Sequence, residues 1–305
     1  MPAADCQPPR ILCAGIAVLD EVFRVRQVPA IDTKTDASAY VSITGGCAAN
    51  AAIAIARLGG RSSFAGPLGD DKTADRILEG LAGEGVDCTG CVRGPAMSSS
   101  VSAILVNDAG ERTIATYTDS NLYSVVPRDA PQLVSEAGCL LVDNRRPNFV
   151  TPICAAAQQR GIPVVLDVDK ATRLDDPLLA LASHLIFSGE GLRATTGMAE
   201  LSEGLRAAYG KLARFVAVTD GANDALWCNS GEIHVSSAFK TKAVDTLAAG
   251  DTFHGAFALA MMEGSALPDA MRFAAAAAAL KCQRFGGSST APTRAEVGAF
   301  LTRYG

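Results

Sequence analysis

Residues 245–255 read DTLAAGDTFHG, which sets Asp245, Asp251, two threonines and two glycines immediately before a long run of helix formers. If a helix begins near Ala248, the amides of Ala249, Gly250 and Asp251 point out of its first turn with the positive end of the helix dipole behind them. Such a turn is an anion site. Gly250 lets a phosphate approach the backbone closely, and Asp251 places a carboxylate beside the bound anion. Phosphoryl transfer to a hydroxyl uses that pair: amides neutralise charge growing on the transferred group while the carboxylate orients or deprotonates the acceptor. An isolated Gly-Asp pair would more simply stabilise a helix N-terminus.

A second segment with chemical content is TGGCAANAAIAIARLGG, residues 44–60. Gly45 and Gly46 before a helix bring backbone amides close to a small polar ligand, and Asn50 can donate to and accept from hydroxyls. Alone, a Gly-Gly pair before an alanine-rich helix is more often a packing device.

The elements that must carry these segments are legible as short apolar runs: ILCAGIAVL (11–19), CLLVD (139–143), PVVLDVD (163–169), HLIFS (184–188) and RFVAVT (214–219). They read as strands buried on both faces, and helical stretches such as 150–160 and 199–213 lie between them. This alternation predicts an α/β fold with a mostly parallel sheet covered by helices. Residues 20–43 and 99–118 instead alternate apolar and polar side chains, the second turning at 107–110, and read as antiparallel strands with one wet face. They predict a small sheet projecting from the main body. Residues 247–283 are almost continuous helix former. No internal repeat or linker divides the 305 residues, so 1–305 reads as one domain.

Composition removes several function classes. With 27 basic and 32 acidic residues the formal net charge is −5, which offers no footprint for nucleic acid or an anionic membrane. No apolar run reaches the roughly 20 residues that span a bilayer, and MPAADCQPPR lacks a signal-peptide core, so a cytoplasmic location is expected. The nine cysteines form no framework, and Cys88 and Cys91 read as a turn that carries two thiols. The first strand lacks the G-x-G-x-x-G of a dinucleotide enzyme.

DTLAAGDTF (245–253) resembles the D-T-x-[GA]-A-G-D-x-F motif of the ribokinase-like sugar kinases, the PfkB family. Residues 44–60 resemble that family's N-terminal G-G-x-x-x-N-x-A-x-x-x-x-x-L-G motif. The resemblance covers essentially the whole chain and implies a ribokinase-like three-layer α/β/α sandwich with a β lid from about 20–44 and 98–120. It implies Asp251 as catalytic base, the amides of Ala249, Gly250 and Asp251 as anion hole, and Asp20, Gly45, Gly46 and Asn50 as sugar ligands. VTDGANDAL (218–226) is similar to the family's nucleotide segment, which implies Thr219 and Gly221, together with Ser188, Ala248 and Gly250, on the nucleotide. ATP and Mg2+ are implied, with Glu190 as metal residue in a degraded N-x-x-E motif and K+ as a monovalent cation beside Asp245. A homodimer through the lid is also implied.

Within the family, GIAVLD (15–20) carries Val18 where ribokinases have Asn, and GERTI resembles ketohexokinases. GERTIATY, VVLDVD, FSGEGL and ALKCQRFGG resemble bacterial 6-deoxy-6-sulfofructose kinases. That similarity implies a ketose phosphorylated at O1, with Lys34, Arg145 and Arg112 near a sulfonate. Fructokinases, nucleoside or vitamin kinases of the same family and a non-catalytic sugar-binding regulator are the alternatives.

Overall fold

The computed structural model describes residues 9–304, so Cys6 and most of the N-terminal decapeptide read above lie outside the described residues. The main sheet has eight strands, numbered in chain order with the rest: β1 (Arg10–Ala14), β4 (Arg61–Ala65), β9 (Ala137–Asp143), β10 (Val164–Val168), β11 (His184–Ser188), β12 (Phe215–Thr219), β13 (Ala225–Asn229) and β14 (Glu232–Ser236). Their order is β14-β13-β12-β11-β10-β9-β1-β4. Every pair from β4 to β12 is parallel, and β13 and β14 add an antiparallel hairpin at one edge.

Alternate strand residues explain the two helical layers. Ile11, Cys13, Cys139, Leu141, Val165 and Ile186 face one core, packed by α1 (Cys47–Arg57), α2 (Lys72–Gly83), α8 (Ala249–Met262), α9 (Leu267–Lys281) and α10 (Arg294–Arg303). Leu12, Ala14, Leu140, Val142, Leu166 and Phe187 face the other, packed by α3 (Ala130–Val134), α4 (Pro147–Gln159), α5 (Pro177–Leu181), α6 (Gly189–Thr196) and α7 (Leu201–Leu212). A period of two with both faces apolar is what a sheet covered on both sides requires.

A separate four-stranded sheet contains β2 (Val18–Arg24), β3 (Ala39–Gly45), β7 (Ser100–Val106) and β8 (Arg112–Tyr117), in the order β3-β2-β7-β8. The outer pairs are antiparallel as expected, but the central pair β2–β7 is parallel, a departure from the all-antiparallel reading. A short parallel pair, β5 (Pro67–Gly69) and β6 (Val92–Gly94), lies between. The run 11–19 is not one strand: β1 ends at Ala14, Gly15 and Ile16 cross over, and β2 begins the small sheet, because the amide of Ile16 is taken by the carboxylate of Asp143. The run 247–283 is likewise two helices, broken at Gly264. Among the described residues no helix is long and apolar enough to cross a membrane.

Candidate active site

Asp251 lies in the first turn of α8, which Ala248 enters at φ 61, a left-handed conformation unusual for a residue with a Cβ. The N–H groups of Gly250 and Asp251 meet no protein acceptor among the described residues, whereas that of Ala249 lies 3.3 Å from the carbonyl of Thr246. The free donors of this turn are therefore chiefly Gly250 and Asp251. A Cβ at Gly250 would meet no atom within 4 Å outside the helix's own backbone, so the turn opens onto free space.

The two motifs read separately in the sequence converge. Asn50 Nδ2 donates to Asp251 Oδ2 at 2.7 Å across 201 positions, and the Oδ1 of Asn50 is a buried acceptor without a partner among the described residues. Asp20 is 4% exposed on β2, opposite Ile43 and Ser102. A Cβ on Gly45 would stand 1.8 Å from Asp20 Oδ2, so only glycine leaves that carboxylate in place. Gly46 caps α1 at φ 97 and aims its first turn at the same space. Burial is the largest influence on both carboxyls: it pushes Asp20 up to about 7 against the Ser102 hydrogen bond, and Asp251 up to about 6 against the Asn50 hydrogen bond, with neighbouring carboxylates adding to each. Once Asp20 and Asp251 are ionised, they and Asn50 Oδ1 offer acceptors, and their natural complement is a compound that donates several hydroxyls.

Further acidic residues at the carboxyl ends of the strands, which the sequence reading passed over, form the floor. Asp143 ends β9 and is fully buried, accepting from the amides of Ile16, Ala48 and Arg145. Asp167 on β10 lies 3.5 Å from His254 Nε2, and its carboxyl is raised well above the usual range, by burial first and then by Asp169, Asp251 and Asp143. The thiol of Cys47 faces Asp169 at 3.6 Å. The signal was present, since LLVD and LDVD are apolar strands that end in Asp, and ligands in α/β folds bind at those ends.

The three expected cations differ in what the fold has already paired them with. Arg145 donates from Nε and Nη2 to Asp169, Arg112 donates to Thr246 Oγ1 at 2.7 Å, and Lys34 is exposed in the connection from β2 to β3. Arg112 thus reinforces the 245–248 loop and is near enough to Asp251 to oppose the rise of its carboxyl. Glu190 is exposed in the first turn of α6, and among the described residues Cys47, Asp167 and Asp251 bring ligand atoms within 4.8 Å of one another. Ser188 caps α6 through the amide of Gly191 and stands beside Thr219 in the register of β11 and β12, with Gly221 in the turn that follows at φ 60.

The place beside Asp245 does not fit a monovalent cation. Asp245 is fully buried, Oδ1 accepts from the Leu247 amide, and Oδ2 accepts from the amides of Gly286 and Gly287 and faces Lys281 Nζ at 3.0 Å. Burial would raise this carboxyl, but Lys281 and those amides outweigh it and hold it below the ordinary range.

Comparison with known proteins bears on the family and the fold. The pattern of the pfkB family carbohydrate kinases matches residues 9–294. A ribokinase of Haemophilus influenzae is 31% identical over 270 residues, 86% of this chain and 88% of that protein. A crystal structure of a candidate ribokinase from Agrobacterium tumefaciens superposes with a TM-score of 0.93 at 36% identity, covering 97% of this chain and 98% of the other. Arabidopsis thaliana ribokinase, in complex with ribose and ATP, superposes at 0.83 with 28% identity over 96% and 98% of the two chains.

Proposed function

This chain belongs to the pfkB family of carbohydrate kinases, and from that premise we propose that it transfers the terminal phosphoryl group of magnesium-ATP to a primary hydroxyl of a furanose sugar, O1 of a ketose, held by Asp20, Asn50 and Gly46. The observation that carries the reading is the buried, unpaired Oδ1 of Asn50 beside Asp251. An orphaned buried acceptor costs about 1–3 kcal/mol, and a sugar hydroxyl would satisfy it. In the step, Asp251 takes the proton of the acceptor hydroxyl as its oxygen bonds to the γ-phosphorus. The bond from that phosphorus to the bridging oxygen breaks, and ADP leaves with its magnesium. The amides of Gly250 and Asp251 hold the charge on the moving group.

The specific acceptor we propose is 6-deoxy-6-sulfofructose. Val18, where ribokinases carry Asn, is buried between Gly45 and Ser100 and offers no contact to a ribose hydroxyl. Lys34 and the Nη1 edge of Arg145, which Asp169 leaves free, would face the sulfonate. The pairing of Arg145 with Asp169 favours a second reading, a neutral furanose such as ribose or fructose. An ATP-coupled assay over 6-deoxy-6-sulfofructose, fructose and ribose decides between them. The sulfonate reading expects kcat/KM at least about tenfold higher for the sulfosugar, and Lys34→Ala to raise KM for that substrate alone. A preference for ribose or fructose, or an equal effect of Lys34→Ala on all three, defeats it.

We also propose a homodimer through the small sheet. Among the described residues the outer edge of β8 has no partner strand, and β8 is exposed along its whole length with Ile114 and Tyr117 turned to solvent; such edges are normally covered. Sedimentation equilibrium should give twice the chain mass of 31.4 kDa, and a monomer at micromolar concentration would contradict it.

A further inference from the structure

Lys281 and Asp245 are both fully buried and paired at 3.0 Å, at the root of the loop that becomes the anion hole. Removing two charges from water rarely gives net stability, so a desolvated pair of this kind points to a structural task. Its connections show the task. Nζ of Lys281, in the last turn of α9, also donates to the main-chain carbonyl of Asp245 at 2.9 Å, so one ammonium chelates that residue twice. The carboxylate it neutralises gathers the amides of Leu247, Gly286 and Gly287. The amides of Val244 and Asp245 in turn donate to the carbonyl of Cys282, next to Lys281. From the other side Arg112 and the carbonyl of Gly110 hold Thr246. Residues 244–247 are therefore fixed on both flanks just before Ala248 makes its left-handed turn, a conformation that persists only where its surroundings impose it.

We propose that the Lys281 ammonium is a built-in cation: it supplies the charge and the contacts that an exchangeable monovalent ion would bring to Asp245, and so makes the geometry of the anion hole independent of potassium. Lys281 touches neither nucleotide nor sugar in this scheme and acts as a positioning residue through the 245–250 loop. Its effect on turnover rests on the kinase reading above. Its effect on ion binding does not.

The test compares potassium chloride with tetramethylammonium chloride, a cation too large for the site, at equal ionic strength. For the unaltered protein, melting temperature and kcat should be the same in both salts to within about 1 °C and twofold, because no site is left to be linked to the ion. Lys281→Ala should melt roughly 5–8 °C lower in tetramethylammonium chloride and lose about tenfold or more in kcat, since it strands a buried carboxylate. Potassium or ammonium ions should restore part of both losses. Lys281→Met, which fills the volume with apolar atoms, should not be restored. Melting is read without substrate, so rescue of melting with no sugar turnover would fault the kinase assignment and leave the built-in cation standing. Severalfold activation or marked thermal stabilisation of the unaltered protein by potassium overturns the proposal, as does a Lys281→Ala protein that no small cation restores. If Lys281→Ala does not fold, the salt comparison on the unaltered protein still decides.

Discussion

Asp251→Asn is expected to lower kcat by about 10²–10⁴-fold while nucleotide binding is retained. The substitution keeps the size of the side chain and leaves a carbonyl oxygen opposite Asn50 Nδ2, so the first turn of α8 and its free amides survive. What is lost is a group able to take the proton of the acceptor hydroxyl. Steady-state kinetics beside nucleotide titration measure the two parts separately, and near-normal turnover would remove Asp251 as the base.

The pH profile follows from the same environment. Asp251 works as a base only when ionised, and Asp20 accepts sugar hydroxyls best when ionised; burial, the leading cause in each, puts them at about 6 and about 7. The kcat/KM of the unaltered enzyme should therefore fall on the acid side across pH 7 to 6, more steeply than one proton allows. The linkage has the opposite sign for stability. Folded-state values raised above the unfolded carboxylate range contribute stability that is present below about pH 4 and is lost as pH rises through 6 and 7. Asp251→Asn removes one of these groups and should melt at a higher temperature than the unaltered protein at pH 8. A variant that is less active and more stable shows that the lost activity is chemical.

The parts of the site legible in the sequence are those whose meaning is local. Gly45, Gly46 and Asn50 open one helix, and Gly250 and Asp251 open another, so each segment shows its residue types and spacing locally, although either alone has a plainer structural reading. Their meeting at the Asn50–Asp251 hydrogen bond depends on α1 and α8 packing on the same face of the sheet, which no local pattern encodes. The partners of the cations are hidden from the sequence for the same reason. Arg145 has the right charge, but its partner Asp169 lies 24 positions away beyond the next strand, and pairing changes what the guanidinium can offer. Lys281 ends an alanine-rich helix, and nothing in its local sequence marks it as buried; only the tertiary fold shows it to be 0% exposed. The main sheet was legible because both-face burial gives unbroken apolar runs. The break after Ala14 was not, since its cause is a carboxylate about 127 positions downstream.

That carboxylate, Asp143, carries the largest stability effect expected in the molecule. Its Oδ2 accepts from the amides of Ile16 at 2.8 Å and Ala48 at 3.2 Å, and its Oδ1 from that of Arg145 at 3.0 Å. Three separate pieces of chain are joined at one side chain: the crossover from β1 into the small sheet, the first turn of the helix that carries Asn50, and the loop leading to α4. Asp143→Ala leaves three amide donors facing an apolar void. At about 1–3 kcal/mol for each buried unsatisfied group, with partial relaxation, the cost is about 3–6 kcal/mol, a large share of the roughly 5–15 kcal/mol that holds a typical domain folded. Asp143→Asn keeps one accepting oxygen but turns an NH2 towards at least one of the amides, so it should cost less than Ala and still be measurable. Urea unfolding of both variants at pH 7.5 provides the comparison, and the expected order of midpoints is unaltered protein, Asn, Ala. If Asp143→Ala unfolds within about 1 kcal/mol of the unaltered protein, the amides have found other acceptors and Asp143 does not anchor the site. The same loss of order should reach catalysis through α1, because Asn50 can orient Asp251 only while the start of its helix is held against the end of β9.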